Sequence, residues 1–412
     1  MINPLVQAVA PPGFAADDTD ADALDLSPTT PTPEDRVGLG SAALSDADLT
    51  AVVRTALGRT VELTAWSVSP IPVAVTSIST EAVLKVQGNA TAGAERLPWA
   101  VLVKILRSAR HWPGITEVPA HIRQDFIDNL PWHAEADILT SDLPGRLPPG
   151  LRTPRLFRID DLGDERMALW VEFVETSETR WNITRYQHAA GLLGRLAGRR
   201  TAEAAAWPVG SAGGMGLRNM AGGLLGLKIF PLIAGGSLCR NALLEKHTDR
   251  TLRADLLTLA GRVPAMLDHL DRLTPSIGHG DACPQNLLVP ADAPDTLVAI
   301  DISWQFPEAI GFDLGQLLVG LAHTGELPAE KLPEVHDVLL SAYLDGLGAE
   351  GCDVDIDDVR YGFDAAMVIR SAFTSMPWDE LNDPVTAELD ASVASRAALT
   401  RYLVNVGLGL RP

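Results

Sequence analysis

The chain has 412 residues, 46% of them hydrophobic and 21% charged, enough for two domains or one large two-lobed unit. Its formal charge of −20 argues against nucleic acid as a partner, because phosphates would be repelled. No uninterrupted apolar stretch reaches membrane-spanning length; the nearest, "LGLKIFPLIAGG", carries Lys228 and Pro231, so no membrane partner is expected.

Residues 1–50 hold nine acidic side chains against one basic, Arg36. Within them "DDTDADALDLSPTTPTPED" is too rich in Asp, Thr and Pro to bury apolar surface, so residues 1–44 read as an acidic tail. The opening "MINPLVQAVAPPGF" has no basic leader, and Cys239, Cys283 and Cys352 show no paired spacing. A reducing, cytoplasmic setting is expected.

Order is expected to begin at "SDADLTAVVRTALG", a helix capped by Ser45, with Asp48 at its third position and Gly58 as its stop. Three strand-like runs follow, "TVELTAWSVSPI", "EAVLKVQGN" and "PWAVLVKILRS", the last two joined by a hairpin loop in "ATAGAERL". "HIRQDFIDNLPWHAEADILTS" reads as a helix broken at Pro131, and "TPRLFRID" and "RMALWVEFVE" as two more strands. Residues 45–175 thus make a small mixed sheet with a helix. Residues 176–412 are mainly helical, as in "TRYQHAAGLLGRLAGR" and "RTLRADLLTLAGRVPAMLDHLDRL". Between those helices, "VGSAGGMGLRNMAGGLLG" follows no strand and has no Lys-Ser/Thr end. It reads as a loop and not as a phosphate cradle.

The chemistry concentrates in "IGHGDACPQNLLV" and the strand "TLVAIDISW" after it. Phosphoryl transfer from a nucleotide needs a cation for the phosphates, metal ligands and an acceptor for the attacking hydroxyl's proton. Asp281, in a turn that glycine makes easy, suits the proton acceptor. Asn286 offers a neutral oxygen to Mg²⁺ and Asp301, closing "LVAID", a charged one. The stretch between them is long enough for a hairpin that brings them together. An Asx-rich turn with an ordinary strand end is the bland alternative. The complete set, with its spacing, outweighs it.

"HGDACPQN" followed by "AIDISWQFPEAIGFDLGQLL" resembles the aminoglycoside phosphotransferase and choline kinase-like family. The resemblance implies the two-lobed α+β fold of the protein kinases, with a small mixed-sheet N-lobe and a large, mainly helical C-lobe. It makes Asp281 the catalytic Asp, Asn286 and Asp301 the Mg²⁺ ligands, His279 structural, and Asp313 a brace for the catalytic loop. The lysine of the third small-lobe strand falls on Lys104 in "AVLVKIL", with Lys85 its competitor, and the glutamate that positions it on Glu135, with Asp137 the rival. "LWVEFVE" resembles the hinge, where backbone groups of Glu172 and Val174 would bond the adenine edge. Two departures stand out. The nucleotide-covering stretch "SPIPVAVTSIST" has two prolines and no glycine, and the Trp usual after the metal Asp is replaced by Ile302, with Trp304 two places on.

The function implied is a kinase moving the γ-phosphoryl of ATP or GTP onto a hydroxyl of a small acceptor: an aminosugar, sugar, amino-alcohol or aminoglycoside antibiotic. The alternative is a nucleotide-binding pseudokinase or scaffold without turnover. His323, Trp378 and Asp379 are candidates for the acceptor pocket, and the acidic "EGCDVDIDD" is a weak pointer to a cationic acceptor. The oligomeric state is not encoded in any of these features.

Overall fold

The computed structural model describes residues 38–72, 77–177, 180–207, 216–235, 241–302 and 305–411. The stretch 1–37 of the expected tail, the middle of "SPIPVAVTSIST" and Trp304 lie outside the described residues.

In the small lobe, β1 (Glu62–Ile71), β2 (Thr80–Ala92), β3 (Glu95–Arg107), β5 (Leu156–Gly163) and β6 (Arg166–Glu172) form one antiparallel sheet, in the order β1-β2-β3-β6-β5. The strand β4 (Leu151–Arg152) belongs elsewhere. The hairpin between β2 and β3 is tighter than "ATAGAERL" suggested. Ala92 pairs with Glu95, and Gly93, at φ 63°, turns the chain.

Alternation along β3 decides what each sheet face meets. Val101, Val103 and Ile105 join Ala168 and Trp170 of β6 against α1 (Asp46–Leu57), which contributes Leu49, Val52 and Val53. That helix is built as its sequence dictates: Ser45 accepts from the Asp48 N–H, and Gly58 closes it at φ 67°. Ordered chain begins earlier than expected, however. Leu39 and Ala42 lie inside the read tail yet are 1% and 2% exposed in this same core, where their apolar side chains pack. The opposite face carries Leu102, Leu106, Leu169 and Val171, packed on Ala136 and Leu139 of α3 (Ala134–Thr140). Lys104 shares that face by periodicity, so it points toward α3. The helical run before it does break, with α2 (Ala120–Asn129) ending ahead of Pro131.

The large lobe is a helical pack of α4 (Ile183–Ala205), α5 (Leu217–Ala234), α6 (Leu252–Leu270), α7 (Phe312–His323), α8 (Leu332–Ala349), α9 (Ile356–Ser371) and α10 (Ala387–Gly409) around one core. The axes of α4 and α8 approach so closely that a Cβ on Gly346 would lie 2.2 Å from the Gly191 carbonyl, and one on Gly194 2.2 Å from that of Tyr343. Small strands interrupt the helices: β7 (Pro275–Ser276) with β10 (Glu308–Ala309), and β8 (Leu287–Leu288) with β9 (Leu297–Ala299), whose other edge takes β4 in parallel.

The glycine-rich stretch is a correction. From Leu217 onward it is helix, with a π-helical segment over Ala221–Ile229. Three glycines, Gly222, Gly223 and Gly226, oppose helix. Burial overrides them, since Leu217, Met220, Leu224, Leu225, Ile229 and Ile233 all enter the large-lobe core. Among the described residues this is the one helix long and apolar enough to cross a bilayer, and 39% of it is buried inside the fold.

Candidate active site

The loop between β7 and β8 holds the His-Gly-Asp turn in a frame of side chains. Asp313, in the first turn of α7, accepts the His279 N–H at 2.8 Å on Oδ2 and the Gly280 N–H at 2.7 Å on Oδ1. The cap of that helix is Gly311, so the Asp313 carboxylate is spent on the loop. Gly278 cannot be any other residue without moving this clamp, since a Cβ would sit 2.0 Å from Asp313 Oδ2. The two glycine carbonyls are held as well. Gln305 Nε2 donates to Gly278 O at 3.0 Å, and Arg370 Nη1 to Gly280 O at 2.6 Å. Gln305 is in turn gripped by the buried Arg200. The His279 ring is fully buried, its Nδ1 accepting from the Asp281 N–H at 3.3 Å.

Asp281 has a donor on each oxygen: Arg370 Nη2 at 2.7 Å on Oδ1 and Asn286 Nδ2 at 3.1 Å on Oδ2. Burial pushes its carboxyl above the usual range against the pull of Arg370 and His279. The Asn286 amide also donates to Asp281 O at 2.9 Å, so its NH₂ is consumed and its carbonyl oxygen remains as an acceptor.

The hairpin brings Asp301 alongside. Leu287 pairs with Ala299, and the Ile300 N–H donates to Asn286 O at 3.0 Å, which places Asp301 one residue past Asn286's partner. Asp301 does not close the strand as expected; β9 ends at Ala299, and Asp301 adopts φ +55°. A left-handed conformation in a non-glycine residue costs about 1 kcal/mol or more and re-aims the side chain off the strand line.

Lys104 bridges the lobes. Its Nζ lies 2.6 Å from Glu135 Oε2 on α3 and is also ion-paired with Asp301 Oδ1. Burial alone would strip its proton; the two carboxylates more than reverse that and hold the ammonium firmly charged. Burial likewise opposes ionisation of Asp301, yet Lys104 holds that carboxyl below its ordinary range. The competitors go elsewhere: Lys85 lies over the Phe173 ring at 4.2 Å, and Asp137 pairs with His133 at 2.6 Å in solvent.

At the hinge, the Glu172 N–H is already given to Arg155 O at 2.9 Å, and its carboxylate holds Arg152 at 2.6 and 2.9 Å. That N–H is therefore spent within the fold, on the segment that leads into β5. Val174 lies just beyond β6, half-buried.

The acceptor candidates divide. His323 bonds Ser375 Oγ at 3.0 Å, and burial, with Arg396 and Arg370 nearby, drags its imidazole down to about 3, so it is neutral. Trp378 belongs to the core rather than a pocket wall, its indole N–H donated to Phe373 O at 2.8 Å. Asp379 is exposed and paired with Lys228 at 3.1 Å. In the acidic stretch, Glu350 takes Arg195 at 2.7 Å and Arg199 at 2.8 Å, and Asp355 caps α9.

Arg370 was not legible as a site residue, although an arginine inside the apolar run "AAMVIRSAF" carries the signal that singled out Lys104: a buried charge needs a partner. Glu308 was missed too. It lines a small cavity behind the loop with Gly278, Gly280, Phe312, Asp313 and Tyr343, and accepts the Leu217 N–H at 3.0 Å. Burial lifts its carboxyl to about 7 despite that N–H and Arg370. A raised acid binds its proton more tightly in the folded state, so its stabilisation is complete below the unfolded value near 4.5 and is lost as pH rises through about 7. Glu308→Gln keeps the acceptor for Leu217 and removes the titration. The variant should gain on the wild type by on the order of 3 kcal/mol between pH 4 and pH 8 in urea melts. Parallel stability curves would refute this.

Among the described residues, no group of three or more His, Cys, Asp or Glu side chains could hold a metal. Asn286 and Asp301 suit Mg²⁺ all the same, since that ion takes one or two protein oxygens and completes its shell with water and phosphate.

No protein-family model matches the sequence, and no curated protein does. Solved structures do. An aminoglycoside phosphotransferase in complex with GDP and kanamycin shares 16% identity over 86% of this chain and 97% of its own, with a TM-score of 0.45. The AMP-bound spectinomycin phosphotransferase shares 10% over 79% and 91%, TM-score 0.45. Choline kinase from Cryptosporidium parvum shares 13% over 82% and 88%, TM-score 0.44. The chain is a two-lobed α+β protein of the protein-kinase plan, with an antiparallel-sheet N-lobe and a helical C-lobe. It resembles the aminoglycoside phosphotransferase and choline kinase-like proteins.

Proposed function

We propose that the chain is a phosphotransferase moving the γ-phosphoryl of ATP or GTP onto a hydroxyl of a small molecule. One observation carries this reading: Lys104 of the small lobe meets both Glu135 and Asp301, and Asp301 adjoins the Asn286–Asp281 pair. Cation, metal ligands and proton acceptor therefore converge at one interlobe position.

Asp281 orients the acceptor hydroxyl and takes its proton late, as the new O–P bond forms and the bond to the β–γ bridging oxygen breaks, releasing the nucleoside diphosphate. Lys104 neutralises phosphate oxygens, with Glu135 fixing its direction. Asn286 and Asp301 would hold Mg²⁺, which would supply charge neutralisation of the transferring group. Asp313, His279 and Gln305 keep the turn rigid, so the carboxylate does not have to be oriented at each turnover. All four polar catalytic positions are filled, which favours turnover over a nucleotide-binding scaffold. The acceptor class is an aminosugar, sugar, amino-alcohol or aminoglycoside.

The test is purified protein with Mg²⁺ and ATP or GTP, screened against such acceptors by nucleotide consumption. Turnover on at least one is expected. Absence of both nucleotide binding and turnover would end the proposal.

A further inference from the structure

We infer that Arg370 is the positioning residue for the Asp281 carboxylate, an inference that rests on the phosphotransferase reading above. Arg370 sits in the last turn of α9, 89 residues from Asp281, and is 3% exposed. Its guanidinium spans two consecutive residues of the loop: Nη1 donates to Gly280 O at 2.6 Å and Nη2 to Asp281 Oδ1 at 2.7 Å. The first bond fixes the peptide that launches Asp281, and the second fixes the carboxylate's rotation about that peptide. Asn286 holds the other oxygen at 3.1 Å, so the carboxylate plane is defined from both ends.

Arg370 is itself braced. Its guanidinium carbon lies 5.6 Å from the centre of the Phe312 ring, whose neighbour Asp313 clamps the same turn. Phe312 and Asp313 open α7, and Thr374 Oγ1 ties the end of α9 to Arg370 O at 2.8 Å. The orientation of Asp281 is thus set by two large-lobe helices and does not depend on closure of the lobes. A planar fork with two parallel donors is needed; an ammonium, a single point on a flexible stem, cannot reach both acceptors in fixed geometry.

The experiment compares wild type, Arg370→Lys and Arg370→Ala by steady-state nucleotide consumption and by nucleotide binding. The acceptor is one found by the screen above, or water in intrinsic hydrolysis. Misdirecting the carboxylate should lower kcat about 100-fold in both variants while the nucleotide Kd and KM stay near wild type. Sub-denaturing guanidinium ion should restore part of kcat to Arg370→Ala, and methylammonium should not. If Arg370→Ala does not fold, Arg370→Lys, which keeps the buried charge, carries the same comparison. Wild-type kcat in Arg370→Lys overturns the positioning role and leaves the phosphotransferase reading standing; so does a parallel loss of nucleotide binding and kcat. A wild-type protein that neither binds nor consumes nucleotide overturns both.

Discussion

Asp281→Asn is expected to slow phosphoryl transfer by about 10²–10⁴-fold while nucleotide affinity stays within a factor of about three. Asparagine has the shape of aspartate, so what changes is charge and donor pattern. Both partners of Asp281 are donors: Arg370 Nη2 on one oxygen and Asn286 Nδ2 on the other. An amide can satisfy only one of them, and its NH₂ then faces the second donor. The variant also removes one carboxylate charge from beside the Arg370 guanidinium, which is 4% exposed at its side chain. Breaking a buried pair from one side costs about 3–5 kcal/mol, so stability falls along with activity. The double variant Asp281→Asn with Arg370→Met separates the two losses. Replacing that cation as well should return part of the urea midpoint and none of the turnover. Nucleotide binding, which the proposed mechanism assigns to Lys104 and Asp301, reports whether the site is otherwise whole. A single variant retaining kcat within tenfold of wild type would remove Asp281 from the chemistry.

Local pattern carried part of this arrangement to the eye and left the rest dark, for identifiable reasons. The His-Gly-Asp turn, Asn286 and Asp301 lie within one supersecondary unit, where spacing along the chain translates directly into spacing in space. Lys104 was legible because alternation in β3 makes a lysine among valines conspicuous. Arg370 is equally conspicuous in α9, but nothing along the chain says which of several distant groups it meets; that depends on helix packing. The same dependence misled the reading of α5. Its glycines argue for loop, and only the core waiting for Leu217, Leu225 and Ile233 makes it helix. Leu39 and Ala42 were lost to the composition of the acidic residues beside them. At the hinge, chain direction gave the place of Glu172, but not the use of its N–H, which goes to Arg155 just ahead of β5.

Asp301→Asn should abolish the Mg²⁺ dependence of nucleotide binding and lower turnover on the order of 10³-fold. Asparagine is the informative replacement because residue 301 sits at φ +55°, a region Asn enters readily and Ala does not, so the backbone stays and only the charge leaves. Around Lys104 the wild-type protein gathers two carboxylates on one ammonium, a site with one negative charge in excess. That excess is what a divalent ion carried in with phosphates would find attractive, while the ammonium answers the phosphates themselves. In Asp301→Asn the remaining Lys104–Glu135 pair at 2.6 Å is neutral as a whole, and Lys104 still has a partner, so the fold should be little disturbed. Lys104→Met does the reverse. It leaves Glu135 and Asp301 facing each other with no cation between them, a like-charge arrangement in a half-buried cleft that should cost more stability than Asp301→Asn does. Nucleotide titrations with and without Mg²⁺, run beside urea melts of both variants, decide the matter. Asp301→Asn that still tightens on its nucleotide when Mg²⁺ is added would show that the metal is held elsewhere.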